Sequence, residues 1–128
     1  MTKQHVKPTD AELDVLQALW QHGPGTVKEI QQRLPDKPHR GYTTVLKLLQ
    51  IMAEKGLVLR DEAQRAHIYR ADLSLSQTQK NLLSHLMDKV FDKSAGSLVV
   101  QALSTRKASR EELAEIRKLL DQMEGDTK

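Results

Sequence analysis

The sequence predicts a mainly α-helical fold with one small β-hairpin, divided into an N-terminal part over residues 1–75 and a helical part over 76–128. Three observations carry this expectation. Apolar residues recur at helical spacing in six stretches, three on each side of residue 75. Between the third and fourth stretch the period changes to short β-compatible runs at 57–61 and 66–70. Three Ser/Thr-x-x-Glu sequences, at 9–12, 26–29 and 109–112, mark helix starts, because hydroxyl and carboxylate there satisfy backbone groups that a helix end leaves unpaired.

Composition narrows the class. With 128 residues the chain is one ordinary domain or two small ones, and 38% hydrophobic against 29% charged residues suits a folded protein. Trp20, Tyr42, Tyr69 and Phe91 are the only aromatics, so the core must be built from Leu, Val, Ile and Met. There is no cysteine, which excludes disulfides and thiolate metal sites. Residues 1–8 hold no apolar stretch of signal-peptide length, and no run approaches the roughly 18 residues needed to span a membrane. A soluble, cytoplasmic protein without membrane insertion is expected.

The elements follow in order. Thr9 to Glu12 opens a first helix whose apolar stripe is Leu13, Leu16 and Trp20, widened by Val15 and Leu19, with Trp20 in the core. Gly23-Pro24-Gly25 stops it. Thr26 to Glu29 opens a short helix carrying Val27, Ile30 and Leu34, ended by Pro35 and Pro38. A third helix, from about Gly41 to Lys55, turns Val45, Leu48, Leu49 and Met52 inward. Arg40, Thr43, Lys47, Gln50 and Glu54 face outward, and Gly56 ends the helix. The hairpin comes next, with 62–65 as its turn. Ser76 is read as the cap of a fourth helix bearing Leu82, Leu83, Leu86, Met87, Val90 and Phe91. Leu98, Val99, Val100, Ala102 and Leu103 form a fifth helical run after Gly96. Ser109 opens a sixth, with Leu113, Ile116, Leu119, Leu120 and Met123.

Three short helices followed by a hairpin is the order of a winged helix-turn-helix, in which the third helix enters the major groove and the hairpin lies along the backbone. The charge distribution agrees. Residues 1–36 carry four basic and five acidic side chains, whereas 37–70 carry seven basic and three acidic ones. Thr43, Thr44 and Lys47, with Arg40 just ahead of them, suit base or phosphate contact, since Thr can meet a thymine methyl and Lys can donate to guanine. Arg60, Arg65, His67 and Arg70 suit phosphate contacts from the wing. Tyr42 reads equally as a phosphate donor or a packing residue, and helix capping is the alternative for the threonines. The wide apolar stripe of the fourth helix, with Leu98, Val99, Leu113, Ile116 and Leu120 of the two helices after it, needs a second surface, which a two-fold homodimer supplies, so that two heads meet two halves of a palindromic double-stranded DNA site.

These segments resemble the BlaI/MecI/CopY family, the penicillinase-repressor type. The resemblance lies in 9–20, in Thr26-Val27-Lys28-Glu29-Ile30, in 42–46 with 55–58, in 65–69, in 96–100 and in the opening of the last helix. It implies a homodimeric repressor of an inverted-repeat operator. DNA contacts carry over onto Thr43, Thr44 and Lys47 in the recognition helix, and onto Arg65 and its neighbours in the wing. It also implies, for the β-lactam branch, a membrane sensor with a metallopeptidase domain whose signal leads to cleavage within the dimerisation module. Leu46 stands where some members carry a polar base-reading residue, and could touch a thymine methyl instead. The bond that aligns with the family's cleavage point is Gln101–Ala102. The copper-responsive branch needs cysteine pairs and is excluded.

Other classes fit less well. No Gly-rich phosphate loop, nucleophile elbow or His-Glu-x-x-His is present, so no enzyme and no cofactor are expected. His5, His22, His39, His67 and His85 show no ligand spacing on one element, although a metal- or ligand-responsive regulator stays open. A protein-interaction module without DNA binding is the remaining alternative.

Overall fold

The computed structural model describes residues 7–126, so His5 and the start of the chain lie outside the described residues. The order is α1 (Asp10–His22), α2 (Val27–Arg33), α3 (Tyr42–Lys55), β1 (Val58–Asp61), β2 (Ile68–Ala71), α4 (Leu75–Val90), α5 (Ala95–Thr105) and α6 (Arg110–Asp126). The chain forms two compact units, Met1–Leu83 and Ser84–Lys128. The division falls within α4 instead of at residue 75, and the first turns of α4 belong with the first unit. Thr78 there is 4% exposed.

All three capping boxes form. Thr9 Oγ1 accepts from the Glu12 N–H at 3.2 Å while the Thr9 N–H donates to Glu12 Oε1 at 2.9 Å. Thr26 with Glu29, and Ser109 with Glu112, repeat the arrangement. α1 ends at Gly23, whose φ of 86° suits glycine, and α3 ends at Gly56 with φ 81°. Leaving α3, the Leu57 N–H reaches back to Met52 O at 2.9 Å, so the chain turns sharply into β1.

The first unit is a close-packed head. Val15 and Leu16 of α1, Ile30 of α2, Val45, Leu49 and Met52 of α3, and Leu57 are each fully buried. On α3 these are the i, i+4 and i+7 positions of its amphipathic stripe, and with their counterparts on α1 and α2 they hold the three helices against the hairpin. β1 and β2 are antiparallel, with Val58 opposite Ala71 and Arg60 opposite Tyr69. The strands are displaced from the expected 57–61 and 66–70, since Leu57 is consumed by the α3 cap and Ala71 completes the ladder. Tyr69 is 1% exposed, and its backbone exchanges hydrogen bonds with Gly25 at 3.0 and 2.8 Å. That bridge ties the wing to the segment between α1 and α2, a link no local pattern announces.

Three local expectations are corrected. Trp20 is half-buried at the edge of the core, because its indole N–H donates to Leu73 O at 2.8 Å and the ring must reach that carbonyl. Ser74, not Ser76, caps α4, its Oγ accepting from the Gln77 N–H at 3.0 Å. Gly96 lies inside α5, which Ser94 caps by accepting from the Ser97 N–H at 3.0 Å.

The second unit has a different character. Among the described residues from Ser84 onward, none is buried. Leu86, Val90, Val99, Val100, Leu119, Leu120 and Met123 are between 42% and 67% exposed. Between α4 and α5, Asp92 and Lys93 adopt φ of 51° and 62°, and the Lys93 N–H closes onto Met87 O at 2.9 Å.

Candidate nucleic-acid interface

The surface of interest is built around the start of α3. Because Val45, Leu49 and Met52 are buried, the helix's rotation is fixed and Thr43, Thr44 and Lys47 are exposed, with Gln50 and Glu54 further along. Gly41 occupies the N-cap without a side-chain hydrogen bond, and the first turn holds no acidic residue. No carboxylate of the first turn therefore offsets the positive end of the helix dipole.

Beside this face lies a concavity of about 430 Å³, lined by Thr26, Val27 and Lys28 of the α2 start, Tyr42 and Leu46 of α3, and Arg65, Ala66, His67 and Tyr69 of the wing. Four residues singled out from the sequence thus meet here: Tyr42, Leu46, Arg65 and His67. Tyr42 is 51% exposed, whereas Leu46 is half-buried against the core and forms part of the floor. Lys28 was missed. It is exposed between the buried Val27 and Ile30, and a single lysine on the outer face of a short helix carries no signal of its own. At the same helix start, the Thr26 N–H bond holds the Glu29 carboxyl below the usual carboxylate range, against a smaller upward pull from burial, so Glu29 stays ionised.

Two other expected contacts lie elsewhere. Arg40 precedes α3 instead of lying on its outward face, and its guanidinium, 13% exposed, pairs with Asp14 of α1 at 3.0 Å. Gln31 Nε2 donates to Arg40 O at 3.1 Å, so Arg40 braces the approach to α3. The physical reason is the nearby carboxylate, 26 positions away in sequence, which takes up its charge. Arg60 extends toward Gln50, Ala53 and Glu54 at the far end of α3 and pairs with Glu62 at 2.8 Å. The Tyr69 hydroxyl first, and Glu62 second, hold its guanidinium protonated even more firmly than usual.

This arrangement is a cationic rim beside an exposed, short-chained polar face at the start of α3. A family model described as penicillinase repressor matches residues 8–122. The chain belongs to the penicillinase repressor family. The resemblance drawn from the sequence is borne out, and the head has the element order of a winged helix-turn-helix. Over 61 residues the chain is 39% identical to the transcriptional regulator BlaI of Mycobacterium tuberculosis, in strains CDC 1551 / Oshkosh and ATCC 25618 / H37Rv. The match takes in 47% of this chain and 44% of the relative, so it spans less than half the length of those relatives. Similar solved structures include a MarR family protein from Bacillus stearothermophilus, with TM-score 0.48 and 20% identity over 95% of this chain and 76% of that one. Another is the transcriptional regulator Tm0710 from Thermotoga maritima, with TM-score 0.45 and 20% identity over 93% and 75%.

The residues expected at a dimer seam fall on the second unit and the end of the first. Leu82, Met87, Phe91, Leu98, Leu113 and Ile116 are half-buried, and Leu83, Leu86, Val90, Val99 and Leu120 are exposed. Gln101 and Ala102 are exposed in the middle of α5. Among the described residues no three His, Cys, Asp or Glu side chains gather into a metal-binding group, and no helix is long and apolar enough to cross a membrane.

Proposed function

We propose that this penicillinase repressor family member blocks transcription by binding an inverted-repeat operator as a homodimer. The observation that carries the reading is the acid-free start of α3 beside the cation-rimmed concavity. α3 enters the major groove with Thr43, Thr44, Leu46 and Lys47 toward base edges, while Tyr42 and the wing residues Arg65 and His67 hold backbone phosphates. Such a partner places the protein in the cytoplasm.

The second unit supports the dimer. An apolar surface that no single protomer buries is stabilised by a symmetric copy, at about 25 cal/mol for each Å² removed from water. Pairing two heads also makes a weak single contact into a strong one. Release follows the family's β-lactam branch, with a sensor metallopeptidase triggering cleavage at Gln101–Ala102. In the intact helix the Gln101 carbonyl accepts from Thr105 Oγ1 at 2.7 Å and the Ala102 carbonyl from the Arg106 N–H at 3.1 Å. Cleavage therefore requires α5 to unwind locally first.

A mobility-shift titration against the DNA upstream of the protein's own coding region tests the proposal. The full chain retards that DNA, and Lys47→Ala costs about 1–3 kcal/mol of operator preference. Equal retardation of unrelated DNA by both proteins would remove the sequence-reading role of α3.

A further inference from the structure

The concavity between α2, α3 and the wing contains more chemistry than the reading face uses. Its lining divides in two. Val27 and Tyr69 belong to the core and Leu46 packs against it, which makes an apolar floor. Lys28, Arg65 and His67, with the Tyr42 hydroxyl, are donors on exposed side chains around that floor. Among the described residues the lining holds no carboxylate. Glu29, the acidic neighbour in sequence, has its carboxylate turned back to the Thr26 N–H at 2.9 Å. Thr26 Oγ1 accepts from the Glu29 N–H at 3.2 Å, which leaves its hydroxyl proton to be donated.

An apolar floor with a cationic rim suits one phosphodiester and its sugar: the charged oxygens meet the rim while the deoxyribose C–H face rests on Leu46 and Val27. At about 430 Å³ the space is larger than a lone phosphate requires and open enough for a continuous strand. The lining comes from three elements far apart in sequence, so a phosphate held there fixes the head's register on the duplex and reads no base.

Resting on the DNA-binding reading above, we infer that Lys28 joins Arg65 and His67 in seating one backbone phosphate per head, leaving base reading to Thr43, Thr44 and Lys47. Lys28 thereby makes α2 a third DNA-contacting element beside α3 and the wing.

The test is an anisotropy titration of the full chain on its operator and on single-base variants, between about 50 and 200 mM salt. Each neutralised phosphate contributes about 0.9 to the slope of log affinity against log salt. Lys28→Ala lowers the slope by about 1.8 for a symmetric dimer, so across that range the unsubstituted protein loses about twelvefold more affinity than the variant. The ratio of operator to variant affinities stays unchanged, since a phosphate contact weakens all sequences alike. Lys28→Arg restores the slope, and Lys107→Ala, between α5 and α6, leaves it as it was. An unaltered slope in Lys28→Ala, or a changed preference among base variants, overturns the inference while the DNA reading stands. Salt-insensitive binding by the unsubstituted protein overturns both. Lys28 is exposed, so an unchanged thermal melt shows that the variant is folded.

Discussion

Removing Lys55 leaves a carboxylate stranded inside the head, and the consequence has a magnitude and a pH dependence. Glu12 is 2% exposed, and its Oε2 accepts from Lys55 Nζ at 2.7 Å while Oε1 accepts from the Thr9 N–H. Burial on its own raises the Glu12 carboxyl, but the Lys55 bond, the Thr9 bond and the Lys55 charge together outweigh it and leave the group below its ordinary value of 4.5. Breaking a fully buried pair costs about 3–5 kcal/mol. Here the Lys55 side chain is 35% exposed, so water screens part of the attraction. Glu12 also keeps its Thr9 partner. Lys55→Met is therefore expected to cost about 2 kcal/mol, or about 10 °C in Tm for a head of this size.

The sign with pH follows from the downward shift. A carboxyl depressed in the folded state stabilises the fold above its unfolded value and loses that contribution as pH falls through the folded value. The difference between Lys55→Met and the unsubstituted protein is thus complete at pH 7. Below about 4.5 it shrinks to the few tenths of a kcal/mol that a lysine adds at a helix C-terminus. In a Glu12→Gln background, Lys55→Met costs much less, because no charge remains to be stranded. Thermal melts by circular dichroism, at one fixed protomer concentration, read all three comparisons. A Lys55→Met deficit that is absent at pH 7, or that persists at full size at pH 3.5, refutes the reasoning.

Three further outcomes are expected. Gly56→Ala forces a Cβ into the left-handed region at φ 81° and lowers stability by about 1–2 kcal/mol, read by chemical denaturation. Trp20→Phe removes the 2.8 Å bond to Leu73 O and costs about 1 kcal/mol, with the same readout. Leu86→Glu with Val90→Glu places charges on the exposed apolar face of α4 and, under the dimer proposal, halves the mass in sedimentation equilibrium without unfolding the head. A dimer that survives both charges would place the interface elsewhere.

What the sequence makes legible here is what is local. A capping box spans four residues, and all three formed as their hydroxyl–carboxylate chemistry requires. The stripe on α3 is equally local, so the exposed face with Thr43 and Lys47 followed from periodicity alone. Long-range partners decided the rest. Arg40 met Asp14 across 26 positions, Trp20 met Leu73 across 53, and Gly25 met Tyr69 through backbone groups that carry no side-chain identity. Lys28 stayed hidden for a related reason: its proposed role rests on sharing a concavity with Arg65 and His67, almost forty residues downstream in the chain. Ser74 and Ser76 are both good caps by composition, and only the observed bond to Gln77 chooses between them.

In the proposed repressor, two heads of this chain grip two halves of one operator. Hydroxyl-radical footprinting of the full chain on its own upstream DNA, at two salt concentrations, tests it most directly. Two protected patches related by two-fold symmetry are expected, centred about one helical turn of 10–10.5 base pairs or a multiple of it apart, and fading as salt rises. A single patch without symmetry, or protection indifferent to salt, would contradict it.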